Sequence, residues 1–262
     1  MAAEFVKARR SAGFFTQYPG AKPQDLDSAY QCQDEAIALW DDSIAGWKVG
    51  WIPEPLSQKY GAQRLVGPIF NRSVQRSSGS DVVDAPVFAH GFGAVEAEFV
   101  VELAKDAPAN VTEWSAETAR RFVKTMYIGI EIASSPLQNI NDFGPAVVAS
   151  DFGNNAGLLL GAEIADWQTR ALDSMICETR IDGNVVGRGS AMSVSGGPLT
   201  ALAFALRVNA RRGRPLRAGD YVSTGAATGV HSIQAGQSAE AIFTGLGSLR
   251  CRAVPMSPIV PP

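Results

Sequence analysis

An α+β fold, with a small helical N-terminal region (residues 1–45) ahead of a β-rich body (residues 46–262), is what the sequence predicts. Three observations carry it. The first stretch spaces its apolar side chains as a helix does. From Gly46 onward, short β-branched runs alternate with Gly, Pro, Asn and Asp. Two further helix-period stretches interrupt that body.

In DLDSAYQCQDEAIALW, Leu26, Tyr30, Ile37 and Trp40 recur at helical intervals, and Asp25 or Asp27 stands where a cap belongs. Two hairpins follow in the body. MICETRI and NVVGRG flank Asp182-Gly183, a pair suited to the positive φ angles of a two-residue turn. AEAIF and SLRCRAV flank TGLG in the same way. One interrupting helix spans Ala116 to Lys124 after a Ser115 cap. The other has Pro198 in its first turn, runs through LTALAFALRVNARR and stops at Gly213. The tail PMSPIVPP is expected to be extended and partly loose.

A chain of 262 residues with 46% hydrophobic and 19% charged residues is long enough for one large domain, or one with a small appendage. A net charge of −3 gives no basic footprint for nucleic acid or a membrane surface. The arginines of RVNARRGRPLR straddle a helix end, where cations complement the dipole. Cys32, Cys177 and Cys251 are odd in number and far apart, which suits a reducing compartment. With no signal-peptide pattern at MAAEFVKARR and no apolar run long enough to span a bilayer, the cytoplasm is the expected location.

The stretch GFGAVEAEFVVEL carries the most chemistry. Read with period two, Val95, Ala97, Phe99, Val101 and Leu103 share one face, and Ala94, Glu96, Glu98, Val100 and Glu102 share the other. Glu96 and Glu98 then project together, roughly 6.5–7 Å apart along the strand. Such a pair repels unless solvent or a cation separates it, and a hard cation wants several oxygens. Spacing alone leaves an ordinary solvated strand face open. In MYIGIEIAS, Glu131 is a lone acid among apolar residues, so it needs a cation, a proton or a salt bridge. Lys48 in GWKVG sits between Trp47 and Val49, where desolvation lowers a lysine's pKa and suits it to proton transfer; a lysine snorkelling from a strand edge is the plainer alternative. STGAATGV lacks the Walker lysine and the GxGxxG spacing, so it reads as a turn after YVST. His90 and His231 have no recognisable nucleophile partner, and no G-x-S-x-G elbow occurs.

Together AYQCQ, GWKVG, GPIF, VEAEFVVEL, GIEIASS, VVGRGSAMSVSGGPLTALAFALR, LRAGDYVSTGAATG and FTGLG make the chain resemble one group of enzymes. These are the 2-oxopent-4-enoate (2-hydroxypentadienoate) hydratases and 4-oxalocrotonate decarboxylases of the fumarylacetoacetate hydrolase superfamily. The motifs run from Ala29 to Gly247 in the order and approximate spacing of that group. The resemblance implies a mixed β roll, Mg²⁺ or Mn²⁺ on Glu96, Glu98 and Glu131, and Lys48 as an acid or base. It implies a small 2-oxo acid as substrate and a homo-oligomer, a pentamer or decamer; Thr224 is expected to bind substrate, as is Arg72 if its loop faces the site rather than a surface acid. The implied reaction is addition of water to a 2-hydroxy-2,4-dienoate, giving a 4-hydroxy-2-oxo acid in aromatic meta-cleavage catabolism. The alternatives are decarboxylation of a 4-oxalocrotonate-like diacid, C–C bond hydrolysis, and a catalytically silent assembly subunit.

The chain departs from the group's pattern in three places. Arg72 stands where relatives often carry an aspartate. Ser135-Pro136 replaces the usual Ser-Arg. SDFGNNAG replaces A-D-N followed by small residues, which shifts or replaces Asp151 and Asn154.

Overall fold

The computed structural model describes residues 1–259. Helices α1 (Ala2–Ser11) and α2 (Leu26–Leu39) precede strand β1 (Ile44–Trp51). Helix α3 (Leu56–Tyr60), strands β2 (Arg64–Phe70), β3 (Val74–Arg76) and β4 (Val82–Val87), and the long β5 (Phe92–Leu103) come next. Then follow α4 (Ala116–Arg120), β6 (Val123–Ser135), α5 (Pro145–Ser150) and β7 (Asn155–Glu163). The hairpin β8 (Ile176–Ile181) and β9 (Asn184–Ser190) leads to α6 (Pro198–Arg211). Strands β10 (Tyr221–Ser223), β11 (His231–Ser232), β12 (Ser238–Phe243) and β13 (Gly247–Pro255) complete the chain.

The strands form two mixed sheets. The larger runs β2-β1-β10-β5-β6-β7-β3, with β11 added on β5, and the smaller runs β4-β13-β12-β8-β9. The larger sheet curls on itself. Ile69 of β2 joins Val100, Tyr127, Leu158 and Leu160 in one apolar cluster, although β2 and β7 lie five strands apart in the order. Its other face, including Val95, Ala97, Phe99 and Val101 of β5, enters the main core with α6 and the small sheet. Strand β5 is therefore covered on both sides, and every residue from Ala94 to Leu103 is buried.

Helix α2 begins at Asp25, whose side chain accepts from the Ser28 N–H at 2.8 Å. Asp182 (φ 48°) and Gly183 (φ 81°) make the turn between β8 and β9, and β12 pairs with β13 across the TGLG turn. Helix α4 is shorter than its sequence suggests. It ends at Arg120, and Val123-Lys124 already belong to β6. There Val123 pairs with Leu103, and Lys124 reaches Glu102 at 2.8 Å, so sheet pairing overrides helix propensity. The N-terminal helices are not set apart, since Phe5, Tyr18 and Leu26 lie in the main core. Of the tail, residues 256–259 lack regular structure and the Ile259 N–H bonds the Arg10 carbonyl at 2.7 Å. Residues 260–262 lie outside the described residues.

Candidate metal centre

The antiparallel register of β5 and β6 sets Glu96 opposite Glu131 and Glu98 opposite Gly129. Cross-strand partners share a face, so three carboxylates gather on the concave side of the curled sheet. Their ligand oxygens lie within 4.8 Å of one another. Glu98 and Glu131 are 0% exposed and Glu96 is 5% exposed, which removes the solvated-face reading that spacing left open. Gly129, opposite Glu98, lets Val100 pack close, because a Cβ there would stand 2.7 Å from Val100 Cγ2.

Two of the acids are held at one end. Ser223 Oγ (2.5 Å) and the Gly225 N–H (2.9 Å) both donate to Glu98 Oε2. Asn155 Nδ2 donates to Glu131 Oε1 at 3.0 Å, and Lys48 Nζ lies 3.2 Å from the same oxygen. Glu98 Oε1 and Glu131 Oε2 are buried and have no hydrogen-bond partner among the described residues. A buried carboxylate oxygen without a partner is costly. Two such oxygens, with Glu96 beside them, form an all-oxygen, anionic donor set that fits a hard divalent ion.

The electrostatics agree. Burial, increased by the Glu131 charge and partly offset by Lys48, pushes Glu96 up to about 7. Burial and the two neighbouring acids push Glu98 well above the usual carboxylate range, against the hydrogen bonds from Ser223 and Gly225. For Lys48, burial acts to lower the pKa, as the sequence suggests, but Glu131, Glu96 and Glu98 outweigh it and the net shift is upward. Lys48 is a buried ammonium among acids, not a snorkelling lysine.

Lys48 also donates to Asn154 Oδ1 at 3.2 Å. Asn154 arrives by a close approach of two backbones. Gly67 pairs with Lys48 across β1 and β2, and a Cβ on Gly67 would lie 2.1 Å from the Phe152 carbonyl oxygen. Phe152 (φ 54°), Gly153 (φ 64°) and Asn154 (φ 57°) are successive left-handed residues. Such a conformation costs a non-glycine residue roughly 1–3 kcal/mol and persists only where its surroundings enforce it.

Of the two substrate-binding residues expected from the sequence, Thr224 lies beside the carboxylates and Arg72 outside them. The Thr224 hydroxyl donates to the Phe99 carbonyl at 2.7 Å, and its neighbours Ser223 and Gly225 are the ones that reach Glu98. The Arg72 side chain is 65% exposed and stands 3.8 Å from Asp41 and 3.9 Å from Asp42. It lines a cavity of about 740 Å³ that touches the site only through Asn155. His231 bonds Thr228, and His90 packs against Phe14. The turn expected at STGAATG is an irregular segment that runs on beside β5, where Thr224 and Ala227 bond the Phe99 and Ala97 carbonyls, and its backbone role at Glu98 was not visible in the spacing. Neither was Arg9, which clamps Asp151 from α1.

The fumarylacetoacetate (FAA) hydrolase C-terminal family model matches residues 64–254. The chain is 27% identical over 258 residues to a 2-keto-4-pentenoate hydratase of Paraburkholderia phymatum, covering 95% of each. Its fold superposes with a TM-score of 0.80 on the 4-oxalocrotonate decarboxylase from Pseudomonas putida G7, solved with magnesium and adipate, at 20% identity and covering 97% of this chain and 95% of that one. The fumarylpyruvate hydrolase of Pseudomonas aeruginosa, solved with Mn²⁺ and pyruvate, superposes with a TM-score of 0.57 at 14% identity, covering 92% and 99%. The family model spans most of the chain, including every carboxylate of the centre, and the chain belongs to the fumarylacetoacetate hydrolase family.

Proposed function

We propose that this chain is a divalent-metal-dependent hydro-lyase that adds water to a 2-hydroxy-2,4-dienoate and releases a 4-hydroxy-2-oxo acid. The observation that carries it is the convergence of three buried carboxylates, two with a free oxygen, beside a buried ammonium. The likeness to 2-keto-4-pentenoate hydratase over nearly the whole chain supports the choice of reaction.

Glu96, Glu98 and Glu131 would hold one Mg²⁺ or Mn²⁺. When bound, such an ion supplies Lewis-acid stabilisation of the charge that develops on the oxygens of a 2-oxo acid. Lys48 is the proton carrier. Held 3.2 Å from Glu131 Oε1, it enters the reaction as the acid that protonates the dienol carbon chain. Asn154 fixes its Nζ, and burial of the whole cluster excludes bulk water.

Decarboxylation of a 2-oxo diacid is the second reading. The Arg72 guanidinium on the wall of the cavity beside Asn155 favours it, as a contact for a second carboxylate. The β8–β9 edge exposes Ile176, Val185, Val186 and Met192, a surface suited to another copy in a homo-oligomer. No helix among the described residues is long and apolar enough to cross a membrane, and we place the enzyme in the cytoplasm.

The test is turnover of 2-hydroxypenta-2,4-dienoate with Mg²⁺ or Mn²⁺, followed by loss of the dienol absorbance and by product identity. Water addition at C4 supports the hydro-lyase. Release of CO₂ from 4-oxalocrotonate, with no hydration of the dienoate, supports the second reading. Failure of both leaves C–C bond hydrolysis and the silent assembly subunit.

A further inference from the structure

Arg9 is 6% exposed, although it sits on the N-terminal helix and no sequence motif includes it. Its Nε and Nη2 grip the Asp151 carboxylate at 2.6 and 3.0 Å. Nη1 donates to the Asn155 carbonyl at 3.0 Å, and Nη2 also reaches the carbonyls of Ser134 (3.1 Å) and Asp151 (3.2 Å). Asp151 accepts a further hydrogen bond from Ser135 Oγ at 2.5 Å.

These contacts bracket the left-handed run Phe152–Asn154, with Asp151 just before it and Asn155 just after it. They also span a break in the ladder. The β6–β7 register slips between Ile132 and Ala133, and the guanidinium joins the Ser134 carbonyl on β6 to the Asn155 carbonyl on β7 just beyond the slip. The segment so held carries Asn154, the partner of Lys48, and Asn155, the partner of Glu131. The planar fork makes several contacts that a lysine's point charge cannot reproduce.

We propose that Arg9 is a positioning residue for the metal centre: it holds the strained Phe152–Asn154 segment so that Asn155 aims Glu131, and Asn154 aims Lys48, for a divalent ion and its substrate. The inference rests on the metal reading of the carboxylate cluster and adds to it a helix that the carboxylates do not touch. Partners one shell out from a metal ligand typically change metal affinity about 10–100-fold when removed.

The experiment titrates Mn²⁺ into metal-free wild type, Arg9→Lys, Arg9→Ala and Glu96→Gln, calorimetrically and far below the unfolding temperature of each. Arg9→Lys keeps the charge and fills most of the space, so it is the informative variant if Arg9→Ala does not fold. The expected result is Mn²⁺ binding at least tenfold weaker in Arg9→Lys, with unchanged circular dichroism and one weakened site. A merely structural Arg9 would lower the melting temperature and leave the Mn²⁺ affinity of the folded protein at its wild-type value, which would overturn the proposal. Wild type that binds no Mn²⁺ would overturn the reading of the cluster, and the role of Arg9 with it. Wild-type binding lost in Glu96→Gln but intact in both Arg9 variants would overturn Arg9 alone.

Discussion

Lys48 Nζ lies 3.2 Å from Glu131 Oε1, while Oε2 of the same carboxylate has no partner among the described residues. One oxygen answers the lysine, and the same carboxylate clusters with Glu96 and Glu98. The single carboxylate thus joins the proposed proton carrier to the candidate ion site, and the two can be separated by substitution.

Lys48→Met removes the proton carrier and leaves all three carboxylates in place. Turnover should fall by about 10²–10⁴, the usual range for a general acid or base, while Mn²⁺ still binds. The metal-free variant should melt below wild type, because three buried acids lose a cation 3.2 Å from Glu131, and Mn²⁺ should recover most of that loss. A variant with wild-type turnover would remove Lys48 from the chemistry.

The raised Glu96 and Glu98 give a pH dependence with a definite sign. Their folded-state pKa values lie above the ordinary carboxylate value, Glu96 at about 7. The metal-free fold therefore binds more protons than the unfolded chain between about pH 4.5 and 7. Their contribution to stability falls as pH rises through that window. A divalent ion requires the deprotonated acids and reverses the penalty. The melting-temperature rise caused by saturating Mn²⁺ should accordingly be larger at pH 8 than at pH 6. An equal or smaller rise at pH 8 would contradict the assignment of these acids as ligands.

Arg72 offers a test of substrate charge. If its guanidinium meets a second carboxylate, Arg72→Ala should lower kcat/KM for a dicarboxylic 2-hydroxydienoate about fivefold and leave the monocarboxylate unchanged. That corresponds to about 1 kcal/mol, the upper value for an exposed ion pair. Equal effects on both substrates would leave Arg72 with Asp41 and Asp42 alone.

The carboxylate cluster was legible because a strand alternates its faces, so Glu96, Glu98 and the isolated Glu131 stand out before any pairing is known. The two hairpins and α6 were legible from turn and cap chemistry local to a few residues. What supports the site is not local. Ser223 and Glu98 are 125 residues apart, and Arg9 and Asp151 are 142 apart. No periodicity brings those pairs together. The direction of the Lys48 shift was misread for the same reason. Trp47 and Val49 announce desolvation, but the three acids that outweigh it come from other strands.

Mn²⁺ titration of metal-free wild type against Glu98→Gln tests whether these three carboxylates hold one divalent ion per chain. Glutamine keeps the shape of the side chain and one ligand oxygen but removes an anionic charge from the set, so wild type should bind one Mn²⁺ per chain and Glu98→Gln should lose most of that affinity while remaining folded. No Mn²⁺ binding to wild type, or the same affinity and stoichiometry in both proteins, would contradict it.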